Sequence, residues 1–555
     1  MSRSIHIFAL VLCTLLLFTT PAHAQNEPDF DALIAEMTLE HKVGQMFMVN
    51  LYGVGLSQAG REMLETWQPG GLFIGVSNIE SFQQVANLNT TYQQTIIAAG
   101  GVPLFIATDQ EGGLIQRLQE GFTRWPVSML VTAANDADLA FRVGQGMAQE
   151  LRAAGLNMNL APVADLNTNV DNPIIGRRSP GSSPELVGLA VSNLALGMQE
   201  QGVLATVKHF PGHGDTSADS HTELPRIDYD AARLEAVELA PFQMAIDAGV
   251  SAVMVGHLWM TAYDPDTTLP ASLSYNVITG LLRDQMGFEG IVTTDALEMD
   301  AIDLNFTPEE ASVRAVEAGV DLLLTGVNTG EAQQARMMQA VVDAVRSGRI
   351  TEARIDESVR RILSAKADMG ILDWTPPTPE EQVIEADAHA LLINELFEAG
   401  VTVAYDSGNH IPLNPERSAI IFPGNRAQIW RDCSPYSNAV QYMSVNDSPS
   451  EAEIATAVTL AGQVDTVVVW TRDAYLTEDL APLVNALPAE KTVVVALISP
   501  HDWLLFPQIS GYIATYSPME AGVTTACAIL FGALPARGRL AVDLSPQIPA
   551  GSRTE

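Results

Sequence analysis

The stretch Ala205-Thr206-Val207-Lys208-His209-Phe210-Pro211-Gly212-His213-Gly214-Asp215-Thr216-Ser217-Ala218-Asp219-Ser220-His221 joins a short apolar run to a loop dense in ionisable residues. Ala205–Phe210 has the length and near-continuous apolarity of a parallel strand covered on both faces. Seven more runs of this kind surround it: Gln45–Asn50, Gly71–Gly75, Leu104–Asp109, Asn157–Asp165, Ala252–His257, Ile291–Asp295 and Asp321–Gly326. Between them lie segments with apolar residues at helical spacing, such as Asp136–Ala154, Pro184–Gln201, Ala231–Ala248 and Pro308–Gly319. Eight such alternations predict an α/β chain that begins with a (β/α)8 TIM-like barrel. Several runs end in ionisable groups: Asp109, Asp165, Lys208 with His209, His257 and Asp295. Strand ends meet solvent and are polar anyway, so one alone carries little weight. Five on the rim where barrel enzymes assemble their sites point to a site.

A helix over Glu352–Met369, with Gly370 as its C-cap, closes the first unit. The stiff connector Trp374-Thr375-Pro376-Pro377-Thr378-Pro379 follows. The expected division is a barrel over 25–370, a Pro-rich linker over 371–379 and a smaller α/β sandwich over 380–548. Strands in the second unit are expected at Val401–Ala404, Ser418–Phe422, Thr466–Trp470, Thr492–Leu497 and Gly511–Thr515. No GxGxxG turn or P-loop marks this unit as a nucleotide domain.

The 555 residues suit two or three domains, and 47% hydrophobic content is enough for their cores. With 29 Lys and Arg against 66 Asp and Glu, the formal charge of −37 repels phosphate backbones and anionic headgroups. Nucleic acid is therefore not an expected partner. Only Lys42, Lys208, Lys366 and Lys491 occur, so the lysine inside the loop motif stands out. Arg3, the apolar run Ile5–Phe18 and Ala22-His23-Ala24 read as a signal peptide over 1–24, and export to periplasm or medium is expected. No integral membrane segment is expected in the mature chain. Cys433 and Cys527 could form at most one disulfide there.

Three readings are open for the fourteen residues Lys208–His221. His209, His213 and His221 could bind a metal with a carboxylate, although no HExxH-like spacing is present. The glycines could cradle phosphate, against the charge of the neighbouring aspartates. Or Asp219 could orient His221, two residues on, as an acid/base pair. Asp295, ending its run in Thr293-Thr294-Asp295-Ala296-Leu297-Glu298, would project over the barrel mouth. A carboxylate facing a proton donor is the minimum apparatus of retaining glycoside hydrolysis. The bland alternative is an N-cap for the next helix.

Four separated motifs, in order, resemble glycoside hydrolase family 3 and in particular its β-N-acetylglucosaminidase branch. They are Asp109-Gln110-Glu111-Gly112-Gly113, Ala161-Pro162-Val163-Ala164-Asp165 with Ile175-Gly176-Arg177-Arg178-Ser179, the Lys208–His221 loop, and Thr294-Asp295-Ala296-Leu297. Leu530-Phe531-Gly532 and Gly538-Arg539-Leu540 resemble the end of the family's second domain. The resemblance implies that Asp295 is the nucleophile and His221 the acid/base, supported by Asp219. It implies that Asp109, Arg117, Arg178, Lys208 and His209 bind the sugar in the −1 subsite. It calls for no cofactor and no metal, and for a small oligosaccharide or muropeptide as substrate. Leu114 replaces an arginine common after Glu-Gly-Gly, and Ala296 a second acidic residue often found beside the nucleophile. The implied activity is removal of terminal β-linked N-acetylglucosamine from chitin-type or peptidoglycan-derived oligosaccharides. The alternatives are a β-glucosidase of the same family, an N-acetylglucosaminide phosphorylase and a non-catalytic sugar-binding protein. Glu111 is expected to be a structural hydrogen-bonder.

Overall fold

The computed structural model describes residues 29–554, so the expected leader over 1–24 lies outside the described residues. Eight parallel strands form the first sheet: β1 Phe47–Val49, β2 Gly71–Phe73, β3 Phe105–Thr108, β4 Met158–Asn159, β5 Leu204–Phe210, β6 Ala252–Val255, β7 Ile291–Thr294 and β8 Leu323–Leu324. They pair in chain order, with Met48 opposite Gly71, Gly71 opposite Phe105, and Ala107 opposite Met158. β8 pairs back onto β1 through Phe47 and Leu323, and a bridge from Thr293 to Leu322 joins the last two strands. The sheet therefore closes into the expected barrel. Every residue of these strands is buried, because helices cover the outside and the opposite strands fill the inside.

Two expectations are corrected in detail. The segment Ala231–Ala248 is two helices, Ala231–Ala236 and Ala240–Ala248, broken at Val237. Pro241 lacks an N–H, and its ring would collide with the Val237 carbonyl in a continuous helix. Of the run Asn157–Asp165, only Met158–Asn159 pairs as strand, with Val163 making an isolated bridge to Lys208. Pro162 has no N–H to give the ladder.

After the helix Glu352–Asp368 the chain runs without helix or strand to Ala386. The helix Ala386–Gly400 then packs against both Ser128–Ala134 beside the barrel and Glu520–Leu530 of the second unit. The second sheet contains β9 Thr402–Asp406, β10 Ser418–Pro423, β11 Gln441–Val445, β12 Thr466–Thr471, β13 Thr492–Ala496 and β14 Gly511–Ala514, in the order β9-β14-β13-β12-β10-β11. Only β9 is antiparallel to its neighbour. β11 was not expected; it is a half-exposed edge strand without the apolar continuity of the other five. Cys433, at the end of the helix Gln428–Cys433, forms a disulfide with Cys527 in Glu520–Leu530.

Candidate active site

The rim groups of β3 and β5 form one charge network. Lys208 Nζ lies 2.8 Å from Asp109 Oδ1 and 2.8 Å from Glu111 Oε1. Arg117 donates to the other Asp109 oxygen at 3.2 Å. Arg178 grips Glu111 with two parallel bonds of 3.0 and 2.7 Å, the fork geometry that suits guanidinium to carboxylate. Burial would raise the Asp109 carboxyl, but Lys208, Arg117 and Arg178 outweigh it and bring it down to about 2. Glu111 is likewise held below the usual carboxylate range, burial being overcome by Lys208 and Arg178. Lys208 in turn is raised, because the two carboxylates outweigh its own desolvation. Glu111 is therefore a structural anchor for Arg178 and Lys208.

Asp165 organises the start of the histidine loop. It accepts the His209 amide at 3.1 Å and the His213 amide at 2.7 Å, and its Oδ2 lies 2.7 Å from His209 Nδ1. His209 thus donates from Nδ1 and turns Nε2 toward Arg178, 3.4 Å away. The loop can then fold back only because of its glycines. Gly212 has φ +121°, and a Cβ on Gly214 would sit 1.7 Å from the Leu166 carbonyl oxygen. His213 is a buried strut between Thr216 Oγ1 at 2.8 Å and Ser220 Oγ at 3.0 Å, and burial pushes its imidazole down to about 4.

That scaffold presents the pair at the loop's far end. His221 Nδ1 lies 2.8 Å from Asp219 Oδ1, which also accepts the His221 amide at 2.9 Å. With Nδ1–H committed to Asp219, Nε2 is left for proton transfer. Burial would raise the Asp219 carboxyl, but the His221 amide and imidazole hold it below its ordinary range. The His221 side chain keeps 56% exposure, whereas the other two histidines of the loop are buried. The three histidines take three separate sets of partners: Asp165 for His209, Thr216 with Ser220 for His213, and Asp219 for His221.

Asp295 follows β7, its amide bonded to Val255 O at 2.9 Å and its Oδ1 accepting the Ala296 amide at 2.7 Å. It is not a helix cap: the next helix, Asp300–Asp303, has Met299 at its N-cap. Burial opposes ionisation of Asp295, yet His209, His257, the Ala296 amide and Lys208 together hold its carboxyl below the usual range. His257, at the end of β6, receives the Ser272 hydroxyl at Nδ1 (2.7 Å) and donates from Nε2 to Ala296 O (2.9 Å). Its burial favours the neutral imidazole this bonding needs. His257 thus props the turn that aims Asp295, a task not visible in the sequence.

One cavity of about 1090 Å³ gathers these groups. Asp109, Arg117, Arg178, Lys208, His209, His221 and Asp295 all line it, as does Leu114, whereas Asp219 stands behind His221 off the wall. The second unit supplies the remaining wall with Arg472, Tyr475, His501, Tyr516 and Met519. Two bonds fix it there: Arg177 to Asp473 at 2.7 Å and the Tyr475 hydroxyl to Asp171 at 2.6 Å.

Residues 38–365 match the model of the glycosyl hydrolase family 3 N-terminal domain. The chain belongs to glycosyl hydrolase family 3. A solved structure, a family 3 β-N-acetylglucosaminidase from Paenibacillus sp. str. FPU-7, is 35% identical, with a TM-score of 0.77 over 92% of this chain and 99% of that one. Beta-hexosaminidase A of Pseudoalteromonas piscicida is 31% identical over 63% of this chain, and the match spans 63% of that relative's length. A Cellulomonas fimi protein named beta-N-acetylglucosaminidase/beta-glucosidase is 30% identical over 69% of this chain and 67% of its own length. The Paenibacillus match extends well past the family's N-terminal domain, so the second sheet is part of the shared architecture.

Proposed function

We propose that this family 3 glycoside hydrolase is an exported, retaining exo-β-N-acetylhexosaminidase. It would release terminal N-acetylglucosamine from chitin-type or peptidoglycan-derived oligosaccharides. The observation that carries the reading is the pairing on one cavity of a partly buried Asp295, held ionised by its neighbours, with an imidazole backed by Asp219. In this reading 1–24 is removed on export, 25–370 is the catalytic unit, and 371–379 links it to 380–548.

The terminal sugar lies among Asp109, Arg117, Arg178, Lys208 and His209, whose oxygens and N–H groups match its hydroxyls. Asp295 attacks the anomeric carbon while His221 Nε2–H gives its proton to the departing glycosidic oxygen. The oxocarbenium-like charge that develops is stabilised by the neighbouring carboxylate. His221, now neutral at Nε2, takes a proton from water as that water displaces Asp295. Two displacements return the original configuration.

Hydrolysis of aryl β-N-acetylglucosaminide and aryl β-glucoside by wild type, Asp295→Ala and His221→Ala tests the reading. Preference for the acetamido sugar and collapse of both variants are expected. The double name of the Cellulomonas fimi relative favours one competing outcome, comparable use of the glucoside, which would broaden the substrate while keeping the mechanism. A wild type that binds chitooligosaccharides and cleaves neither substrate would replace it with a sugar-binding role.

A further inference from the structure

The cavity has a second wall to which the reaction above gives no task. β12, β13 and β14 are neighbours and parallel, and their carboxyl ends run directly into Arg472–Leu476, Ile498–His501 and Tyr516–Met519. Residues from all three segments line the cavity. In open α/β sheets the carboxyl ends of the strands are where ligand crevices form, as in barrels. Here the two faces meet on one space. Two of the six non-glycine residues with positive φ among the described residues, Asp473 at +59° and Tyr516 at +62°, stand at these strand ends. A bulky residue holds such a backbone only where its surroundings enforce it.

His501 is the unexplained group on this wall. It is 7% exposed, lines the cavity, and its ring nitrogens have no hydrogen-bond partner among the described residues. The buried rings of His209, His213, His257 and His389 are each held by at least one such bond. Burial pushes the His501 imidazole down to about 4, so near neutral pH it offers one donor and one acceptor. Tyr475 lies with its ring centroid 6.3 Å from that of His501, its hydroxyl held by Asp171, and Leu476 beside it is 62% exposed. A neutral two-way hydrogen-bonding group next to an aromatic face suits an uncharged sugar ring, whose rim is hydroxylated and whose faces are apolar.

We propose that His501 binds the first sugar of the leaving group, hydrogen-bonding an hydroxyl or acetamido group of a neutral aminosugar held against Tyr475. The inference rests on the glycosidase reading. In that reading the polar groups for the terminal sugar all come from the barrel, and the second sheet's wall is left for the aglycone. His501 is then a specificity-determining residue contributed by the second unit.

The test compares wild type, His501→Ala and His501→Gln on two substrates. One is the β-1,4-linked N-acetylglucosamine disaccharide; the other is N-acetylglucosaminyl fluoride, whose leaving group carries no sugar. The expected result is a loss of about tenfold in kcat/KM on the disaccharide for His501→Ala, as befits one lost hydrogen bond. Activity on the fluoride stays at the wild-type level, and His501→Gln recovers most of the disaccharide loss. Equal losses on both substrates, or none on the disaccharide, overturn the proposal. Should His501→Ala fail to fold, His501→Leu replaces it. If wild type cleaves neither substrate, the glycosidase reading has failed separately. Calorimetric titration with the disaccharide then decides, about tenfold weaker binding by the variant supporting the role of His501 and unchanged binding overturning it.

Discussion

Replacing Lys208 with methionine removes the one cation that bonds both Asp109 and Glu111 among the described residues. The lysine and Glu111 are nearly fully buried and Asp109 is mostly so, which limits how far water can take the ammonium's place. Breaking a buried ion pair from one side costs about 3–5 kcal/mol, because the abandoned charges stay desolvated. Asp109 supplies part of this. Its carboxyl sits at about 2 against an ordinary 3.8, a difference equivalent to about 2 kcal/mol in favour of the folded, ionised state. A lowered carboxyl contributes in full above its unfolded value near 4, and the contribution is lost as pH falls through about 2. In Lys208→Met, burial loses its main counterweight and the Asp109 carboxyl rises. The stability gap between wild type and variant should therefore be widest near pH 7 and narrow below pH 4. Urea unfolding followed by circular dichroism at pH 7, 5 and 3.5 reads this directly. The same substitution should move the acid limb of kcat/KM upward, since Asp109 must be ionised to accept sugar hydroxyls. A variant within about 1 kcal/mol of wild type at pH 7, with an unmoved acid limb, would refute the reasoning.

Lys366, buried beneath the barrel with Gln45 as its side-chain partner at 2.9 Å, is pushed by burial down to about 7 from an ordinary 10.5. The folded state resists its proton, so the penalty grows as pH falls from about 10.5 to about 7, where it reaches about 5 kcal/mol. Lys366→Met, which gives up the Gln45 bond, should be more stable than wild type by roughly 2–4 kcal/mol near pH 7, the gain fading by pH 10 in thermal melts across that range. The Cys433–Cys527 bond closes a span of 94 residues. Cys433→Ser should lower stability by up to about 4–5 kcal/mol in chemical denaturation, and a reducing agent should lower wild type alike while leaving the variant unmoved.

The barrel was legible because its strands are covered on both faces, which writes each as an apolar run that a single sequence displays. The five apolar strands of the second sheet were legible for the same reason. Gln441–Val445 was not, since an edge strand with half its residues wet carries no such run. The break at Val237 was written in Pro241, four residues further on in an otherwise amphipathic pattern. At the site, the local pairs were readable from spacing: Asp219 with His221, and the glycines that let their loop return. The long-range partners were not. Asp165 lies 44 residues from His209, and Ala296 lies 39 from His257, and only the closed barrel brings them within bonding distance. The second wall had a readable signal in the strand-end rule already applied to the barrel. Tyr475 and His501 stand a few residues past β12 and β13, as Asp109 and Asp295 stand just past β3 and β7.

The central claim is that Asp295 carries the sugar between two displacements. His221→Ala should stall after the first step when given an aryl β-N-acetylglucosaminide, whose good leaving group needs little help from an acid. Quenching that reaction and mapping peptides by mass spectrometry should find one anhydro-N-acetylhexosamine per chain, on the peptide that contains Asp295. An adduct on another carboxylate, or a first product of inverted configuration with no adduct, would contradict the account.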